Sequence, residues 1–131
     1  MDTITVRTNS RVEFVEISGP VRKWLKGQGV ESGVLTLYVP HTTAGITINE
    51  HADPDVVRDL TMELNKVIPF DDNYRHLEGN AAAHIKSSLI GASTQVIVAG
   101  GDLVLGTWQG IFFAEFDGPR TRKVHLQLTS A

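Results

Sequence analysis

The 131-residue sequence contains no cysteine. Disulfides, thiolate metal sites and a cysteine nucleophile are thereby excluded. No apolar run approaches the roughly 20 residues of a membrane span, and the opening MDTITVRTNS lacks the basic start and apolar stretch of a secretory leader. Charge of one sign is not in excess either. The formal net charge of −3 exerts no global pull toward nucleic acid or an anionic membrane. Internal repeats, low-complexity tracts and linker-like stretches are missing. What is present suits a globular protein: 41% of residues are hydrophobic and 21% charged. The length fits one domain over residues 1–131 with a proper core and is short for two. A soluble, cytoplasmic, single-domain protein is the expectation.

Local patterns predict a mixed fold. TITVRT and RVEFVEI carry β-branched and aromatic residues in partial alternation, giving two strands about a turn at Asn9-Ser10. In SGPVRKWLKGQG, Ser18 is placed to cap a short helix. Val21, Trp24 and Leu25 share one face, and Gly27 or Gly29 ends it. GVLTLYV is a near-continuous apolar run, expected as a central strand buried on both faces. GITIN is a strand with Ile46 and Ile48 opposite Thr47 and Asn49. Asp53-Pro54 reads as an N-cap with proline at the first helical position, and Val57, Leu60, Leu64 and Val67 carry that helix to Ile68, before Pro69. PFDDNYRHLEGN is loop. Asn80 is placed to cap a third helix, AAAHIKSSLIG, closed at Gly91. TQVIVAG, DLVLG, WQGIFFAEF and TRKVHLQL are strands joined by Gly-Gly and Asp-Gly-Pro turns. The order β-β-α-β-β-α-α-β-β-β-β means an α+β fold, largely antiparallel sheets with about three helices.

PHTTAGITINEHADPD, residues Pro40 to Asp55, is richer in ligand-type side chains than a packing strand needs. Among the five histidines, His41, His76 and His84 lie in polar settings at element ends. Three imidazoles with an open position make a catalytic Zn²⁺ site. No pair has local spacing such as H-x-x-x-H, so three separately hydrogen-bonded histidines is the competing reading. Asn49, Glu50 and Asp53 are oxygen donors of the kind Mg²⁺ takes beside a substrate phosphate. Asp53 doubles as a helix cap, whereas Glu50 has no comparable structural role. NAAAHIKSS offers free N–H groups to an anion at a helix N-terminus, with Lys86 and Ser87 close behind. The alternative is a plain helix with packed alanines and a solvated lysine. In GTWQG, Trp108 can floor a pocket for a flat ligand and Gln109 can read a ring edge, or Trp108 is a buried structural residue. Arg120 and Arg122 of DGPRTR are phosphate-facing or simply exposed.

In order along the chain, VPHTTAGITINEHADPDVVRDL, YRHLEGNAAAHIKSSLIGAS and LGTWQGIFFAEFDGPRTRKV resemble the YjbQ-type family, named secondary thiamine-phosphate synthase. The resemblance spans nearly the whole chain. It implies a compact α+β fold assembled as a homotrimer, with sites near subunit boundaries. It also implies thiamine phosphate synthase activity, in which the nitrogen of a thiazole phosphate displaces pyrophosphate from hydroxymethylpyrimidine diphosphate. The family's recurring polar positions match His41, Thr42, Thr43, Asn49, Glu50, Asp53, His76, Glu78, His84, Gln109 and Arg120. Several relatives carry a cysteine where this chain has Ala114, so thiol chemistry is not essential here.

The expected catalytic residues are accordingly His41, Glu50, His76 and His84. Thr42, Thr43, Asn49, Lys86, Ser87, Trp108, Gln109 and Arg120 are expected around a phosphorylated small molecule. A divalent metal, Mg²⁺ or Zn²⁺, would be held by His41, His76 and His84 or alternatively by Glu50 and Asp53. Pyrophosphate departure needs positive charge on the leaving group, but it does not need three histidines. Two other readings therefore stay open: a metal-dependent hydrolase or lyase using Zn²⁺-bound water, and a non-enzymatic metabolite-binding trimer. The apolar strands GIFFAEF and TQVIVAG, with few helices to cover them, also favour a closed symmetric oligomer.

Overall fold

The computed structural model describes all residues from Met1 to Ala131. Its elements are β1 (Asp2–Arg7), β2 (Glu13–Glu16), α1 (Ser18–Lys26), β3 (Gly33–Tyr38), β4 (Ala44–Glu50), α2 (Pro54–Val67), α3 (Ala81–Ile90), β5 (Ser93–Ala99), β6 (Asp102–Leu103), β7 (Gln109–Glu115) and β8 (Thr121–Ser130). They form a five-stranded sheet, β1-β8-β3-β5-β6, and a three-stranded sheet, β2-β7-β4. Every strand pair is antiparallel. The fold is α+β with three helices, as the periodicity predicts.

The two sheets enclose the main core. Leu35, Leu37, Val96, Val98, Val124 and Leu126 meet Ile46, Ile111 and Phe113, and Val21 and Leu25 of α1 close one side. A smaller cluster of Phe14, Phe112, Ala114, Phe116 and Ala83 lies on the other face of the three-stranded sheet, beneath Val57, Leu60 and Leu64 of α2. The strand buried on both faces is therefore β7, not β3. In β3 burial alternates, because nothing covers the outer face of the five-stranded sheet, where Val34 and Tyr38 are exposed.

β1 and β2 do not pair with each other either. β1 pairs with β8 and β2 with β7, so the chain leaves one sheet for the other at residues 8–12, beside the β7–β8 crossover at 116–120. The two crossovers are laced together: the Thr8 N–H donates to the Arg120 carbonyl at 2.9 Å and the Gly118 N–H to the Arg11 carbonyl at 3.0 Å. A Cβ on Gly118 would lie 2.3 Å from the Ser10 carbonyl oxygen, so only glycine allows this approach. This corner presents the polar residues of the β7–β8 turn to the N-terminus of α3.

Helix ends follow local chemistry, with two corrections. Asp53 caps α2, accepting the Asp55 N–H at 2.9 Å, with Pro54 at the first turn. Ser18 is not the cap of α1, whose cap position is Ile17. The Ser18 hydroxyl instead accepts the Ile111 N–H at 2.8 Å, tying α1 to β7. Asn80 occupies the cap position of α3, yet its side chain makes no capping bond. α3 ends at Gly91, whose φ is +100°, and lies directly on β4. A Cβ on Gly45 would come within 2.7 Å of the Gly91 carbonyl oxygen. No helix is long and apolar enough to cross a membrane.

Candidate functional site

The corner, the first turn of α3 and the residues just before β4 surround a cleft of about 380 Å³ that no hydrophobic residue lines. Pro40, His41, Thr42, Thr43, Glu78, Asn80, His84, Asp117, Arg120 and Arg122 form it. A second hollow of about 370 Å³ runs on past His41, Thr42 and His84 to Ser87 and Ser88. The Ser87 hydroxyl donates to the Ala44 carbonyl at 2.6 Å, which fixes α3 against the start of β4.

The floor is a buried ion pair. Arg122 is 4% exposed and Glu115 0%. The Nε of Arg122 donates to Glu115 Oε1 at 2.9 Å, and Nη2 donates to Oε2 of the same carboxylate. Nη2 also reaches the Thr43 hydroxyl at 2.9 Å and the Thr43 carbonyl at 3.3 Å. Glu115 further accepts the Thr8 hydroxyl at 2.8 Å and the Asp117 N–H at 3.1 Å. Burial alone would raise the Glu115 pKa. The Arg122 bonds, followed by those from Asp117 and Thr8, outweigh it and hold the carboxyl below its usual range. With Nε and Nη2 committed, Arg122 Nη1 has no partner in the chain and stays open to the cleft.

Above this floor, Arg120 donates from Nε to the Asp117 carbonyl at 2.7 Å and from Nη2 to Asp117 Oδ2 at 3.1 Å. Asn80 Nδ2 donates to the same Oδ2 at 2.9 Å. Because no side chain caps α3, the N–H of the half-buried Ala81 is left without a partner in the chain, at the positive end of the helix dipole. His41 Nε2 accepts the Lys123 N–H at 3.0 Å, so the neutral ring carries its proton on Nδ1. Partial burial first, and then the Arg122 charge, lower the His41 pKa. His84 shares the cleft with His41, and its ring meets that of His76 edge-on, with centroids 5.3 Å apart.

Other expected site residues lie elsewhere. Lys86 is fully covered, on the inner side of α3. Its ammonium donates to Asn65 Oδ1 and stands 3.9 Å from the centroid of Phe70, a ring that Arg11 also covers at 3.6 Å. Burial, then the Arg11 charge, push its pKa down to about 8. Lys86 is thus part of the packing between α3 and the 65–70 segment and not a wall of the cleft.

Asn49, Glu50, Asp53, Trp108 and Gln109 gather at the opposite end of the β4–β7 ladder, where Glu50 pairs with Gln109. There Asn49 Oδ1 accepts the Glu50 N–H at 2.7 Å and Glu50 Oε2 the Ala52 N–H at 2.9 Å. Glu50 therefore has a structural role that its position at a strand end concealed. Gln109 Oε1 accepts the Gly106 N–H at 2.8 Å, and Trp108 is 63% exposed, neither a core residue nor part of the cleft.

Residues 2–131 match the family described as UPF0047 protein YjbQ-like. The chain belongs to this family. It is 50% identical over 129 residues to the UPF0047 protein YugU of Bacillus subtilis, covering 98% of both chains. To a UPF0047 protein of Methanocaldococcus jannaschii it is 51% identical over 123 residues, covering 94% of this chain and 89% of that one. A crystal structure of a YjbQ/UPF0047-family protein from Clostridium acetobutylicum is similar at a TM-score of 0.96 and 50% identity, covering 98% and 100% of the two chains. A YjbQ-like protein of Sulfolobus solfataricus gives a TM-score of 0.94 at 32% identity, covering 99% and 96%.

The donor set of this YjbQ-like protomer does not fit the expected metal centre. No group of three His, Asp or Glu side chains is placed to hold an ion. His41 has Nε2 engaged by a backbone amide, and Glu50 and Asp53 spend an oxygen each on backbone N–H groups. The site residues that sequence reasoning passed over are Glu115 and Asp117, and Asn80 was assigned only a capping role. One signal for Glu115 was available: it is the sole charged residue in the apolar run GIFFAEF, followed across a tight turn by Arg122.

Proposed function

We propose that the cleft binds the phosphate of a small phosphorylated metabolite and that the protein acts as a transferase of the thiamine-phosphate synthase type. The observation that carries this reading is Arg122, a charge buried in the cleft floor and locked by Glu115, with one nitrogen left open beneath an uncapped helix N-terminus. In a chain of net charge −3, an anion has to be met by directed donors, and this corner offers two guanidiniums held in place by Glu115 and Asp117 beside a helix N-terminus. When the thiazole nitrogen attacks the methylene carbon of hydroxymethylpyrimidine diphosphate, the carbon–oxygen bond breaks and the departing pyrophosphate takes the electron pair. Arg120, Arg122 and the Ala81 N–H would receive that charge. Turnover of the two precursors, lost in Arg120→Ala and Arg122→Met, is the test. No pyrophosphate binding and no turnover would refute it.

A second reading, a metabolite-binding protein without catalysis, is favoured by the position of Trp108 and Gln109. The aromatic floor and amide reader that a pyrimidine needs stand at the far end of the ladder in a single protomer. Pyrophosphate binding without turnover would select it.

We also propose a homotrimer. None of the residues of α2 is buried, although Val56, Leu60, Leu64 and Val67 line a groove of about 410 Å³ shared with Leu89. Val34, Tyr38 and Ile97 are exposed on the uncovered sheet face. Apolar surface of this extent is what a closed oligomer covers. Light scattering that shows a monomer at micromolar concentration would overturn this.

A further inference from the structure

We infer that the cleft takes a phosphate ester that also carries a hydrogen-bond donor, a hydroxyl or an amine, aimed at Oδ1 of Asn80, an inference that rests on the phosphate-binding reading above. Oδ1 of Asn80 is the one buried side-chain nitrogen or oxygen in the chain that has no hydrogen-bond partner. A buried acceptor left unpaired is destabilising, and such atoms are rare in folded proteins. It is not spent on the helix either, since Asn80 holds the cap position of α3 without a side-chain capping bond.

The amide cannot relieve the deficit by turning over. Its Nδ2 donates to Asp117 Oδ2 at 2.9 Å, and that oxygen also accepts from Arg120 at 3.1 Å. Flipping the amide would set Oδ1 against a carboxylate oxygen, acceptor against acceptor, and would lose the Nδ2 bond. Asp117 therefore holds Oδ1 where it is, in a residue that lines the cleft.

Besides the exposed carboxylate of Glu78, the open groups of the cleft include the donors Arg122 Nη1 and the Ala81 N–H. Donors match phosphate oxygens, but a phosphate monoester dianion has no proton to give Asn80. Asn80 lines the same cleft as Arg122 and directly precedes Ala81 in the chain, so a donor a few bonds from the phosphorus is within its reach. A ligand satisfying both halves has an anionic head and a nearby O–H or N–H.

Calorimetric titration of the protein at pH 8 with three esters of equal heavy-atom count tests this: n-propyl, 2-hydroxyethyl and 2-aminoethyl phosphate. The hydroxyl and amine esters are expected to bind about tenfold tighter than the propyl ester, the worth of one hydrogen bond to a buried acceptor. In Asn80→Leu the preference for the hydroxyl and amine esters over the propyl ester should be lost, and a circular dichroism spectrum and urea melt like those of the parent show that the variant is folded. Equal affinities for the unsubstituted protein would overturn the inference and leave the phosphate reading standing. A preference that persists undiminished in Asn80→Leu would overturn it too, by assigning the donor to another acceptor such as Glu78. Binding of none of the three would refute the phosphate reading itself.

Discussion

At the Ala44–Glu115 end of the β4–β7 ladder, a carboxylate and a cation, Glu115 and Arg122, are buried together under a cleft. At the Glu50–Gln109 end, another such pair, Glu16 Oε2 and His51 Nδ1, lies 2.9 Å apart in the open. β4 has seven residues, which at about 3.4 Å per residue sets the two ends roughly 20 Å apart. Both ends hold histidine, acid and hydrogen-bonding side chains. What separates them is water. In the buried pair every oxygen of Glu115 is matched by a donor, and Arg122 has a single orientation in which one nitrogen faces the cleft. The exposed pair instead rests on Gly110, where a Cβ would lie 2.7 Å from both Glu16 Oε2 and His51 Cβ. Residue types alone do not make a site; burial decides which cation is held in a fixed place for a ligand.

The largest expected break is at the floor. Glu115→Ala leaves Arg122 buried without its counter-charge and should destabilise the protein by about 3–5 kcal/mol, whereas Glu16→Ala should cost no more than about 1 kcal/mol. Urea melts of the two variants decide this, and equal losses would erase the contrast. Next in size is ligand binding. Arg120→Ala should weaken pyrophosphate about ten- to a hundredfold, as for one charge-assisted bond, and Trp108→Ala should leave the affinity as it is; calorimetry separates them. Gly110→Ala probes the far end by crowding, with an expected loss of about 1–3 kcal/mol in the same melts, and a neutral result would show that the Glu16–His51 pair can move aside.

The smallest effects are those of pH, and they should have opposite signs. His41 has a lowered pKa through burial and Arg122, so its contribution to stability is present above 6.5 and lost as pH falls below that value. His51 has a raised pKa through its bond to Glu16, so its contribution is present below 6.5 and lost as pH rises through the folded value. Imidazole NMR titration should place His41 below and His51 above the free value. A shared midpoint would contradict the assignment of either environment.

Much of the architecture was legible from short-range chemistry. Asp53-Pro54 marks a helix start and Gly91 a helix end because caps and positive φ are local matters. The placement of Val34 was not legible: whether β3 is covered on both faces depends on what packs over the sheet, and an apolar run does not say. The candidate site suffered from the same limit. His41 and Glu50 are near neighbours in sequence, yet an extended strand carries them to opposite ends. Lys86 looks like a phosphate ligand beside a helix start, but the close approach of α3 to β4 leaves its face turned inward to Asn65 and Phe70. Glu115 and Arg122 are matched only when β7 and β8 change sheets at Gly118, a long-range event that no local pattern announces.

The most direct test of the central claim is a backbone amide NMR titration with pyrophosphate. Shifts are expected to concentrate on Thr42, Thr43, Ala81, Ala82, Arg120 and Arg122, with Glu50, His51 and Trp108 silent. Shifts centred on Glu50, His51 and Trp108, or none at all at saturating pyrophosphate, would contradict it.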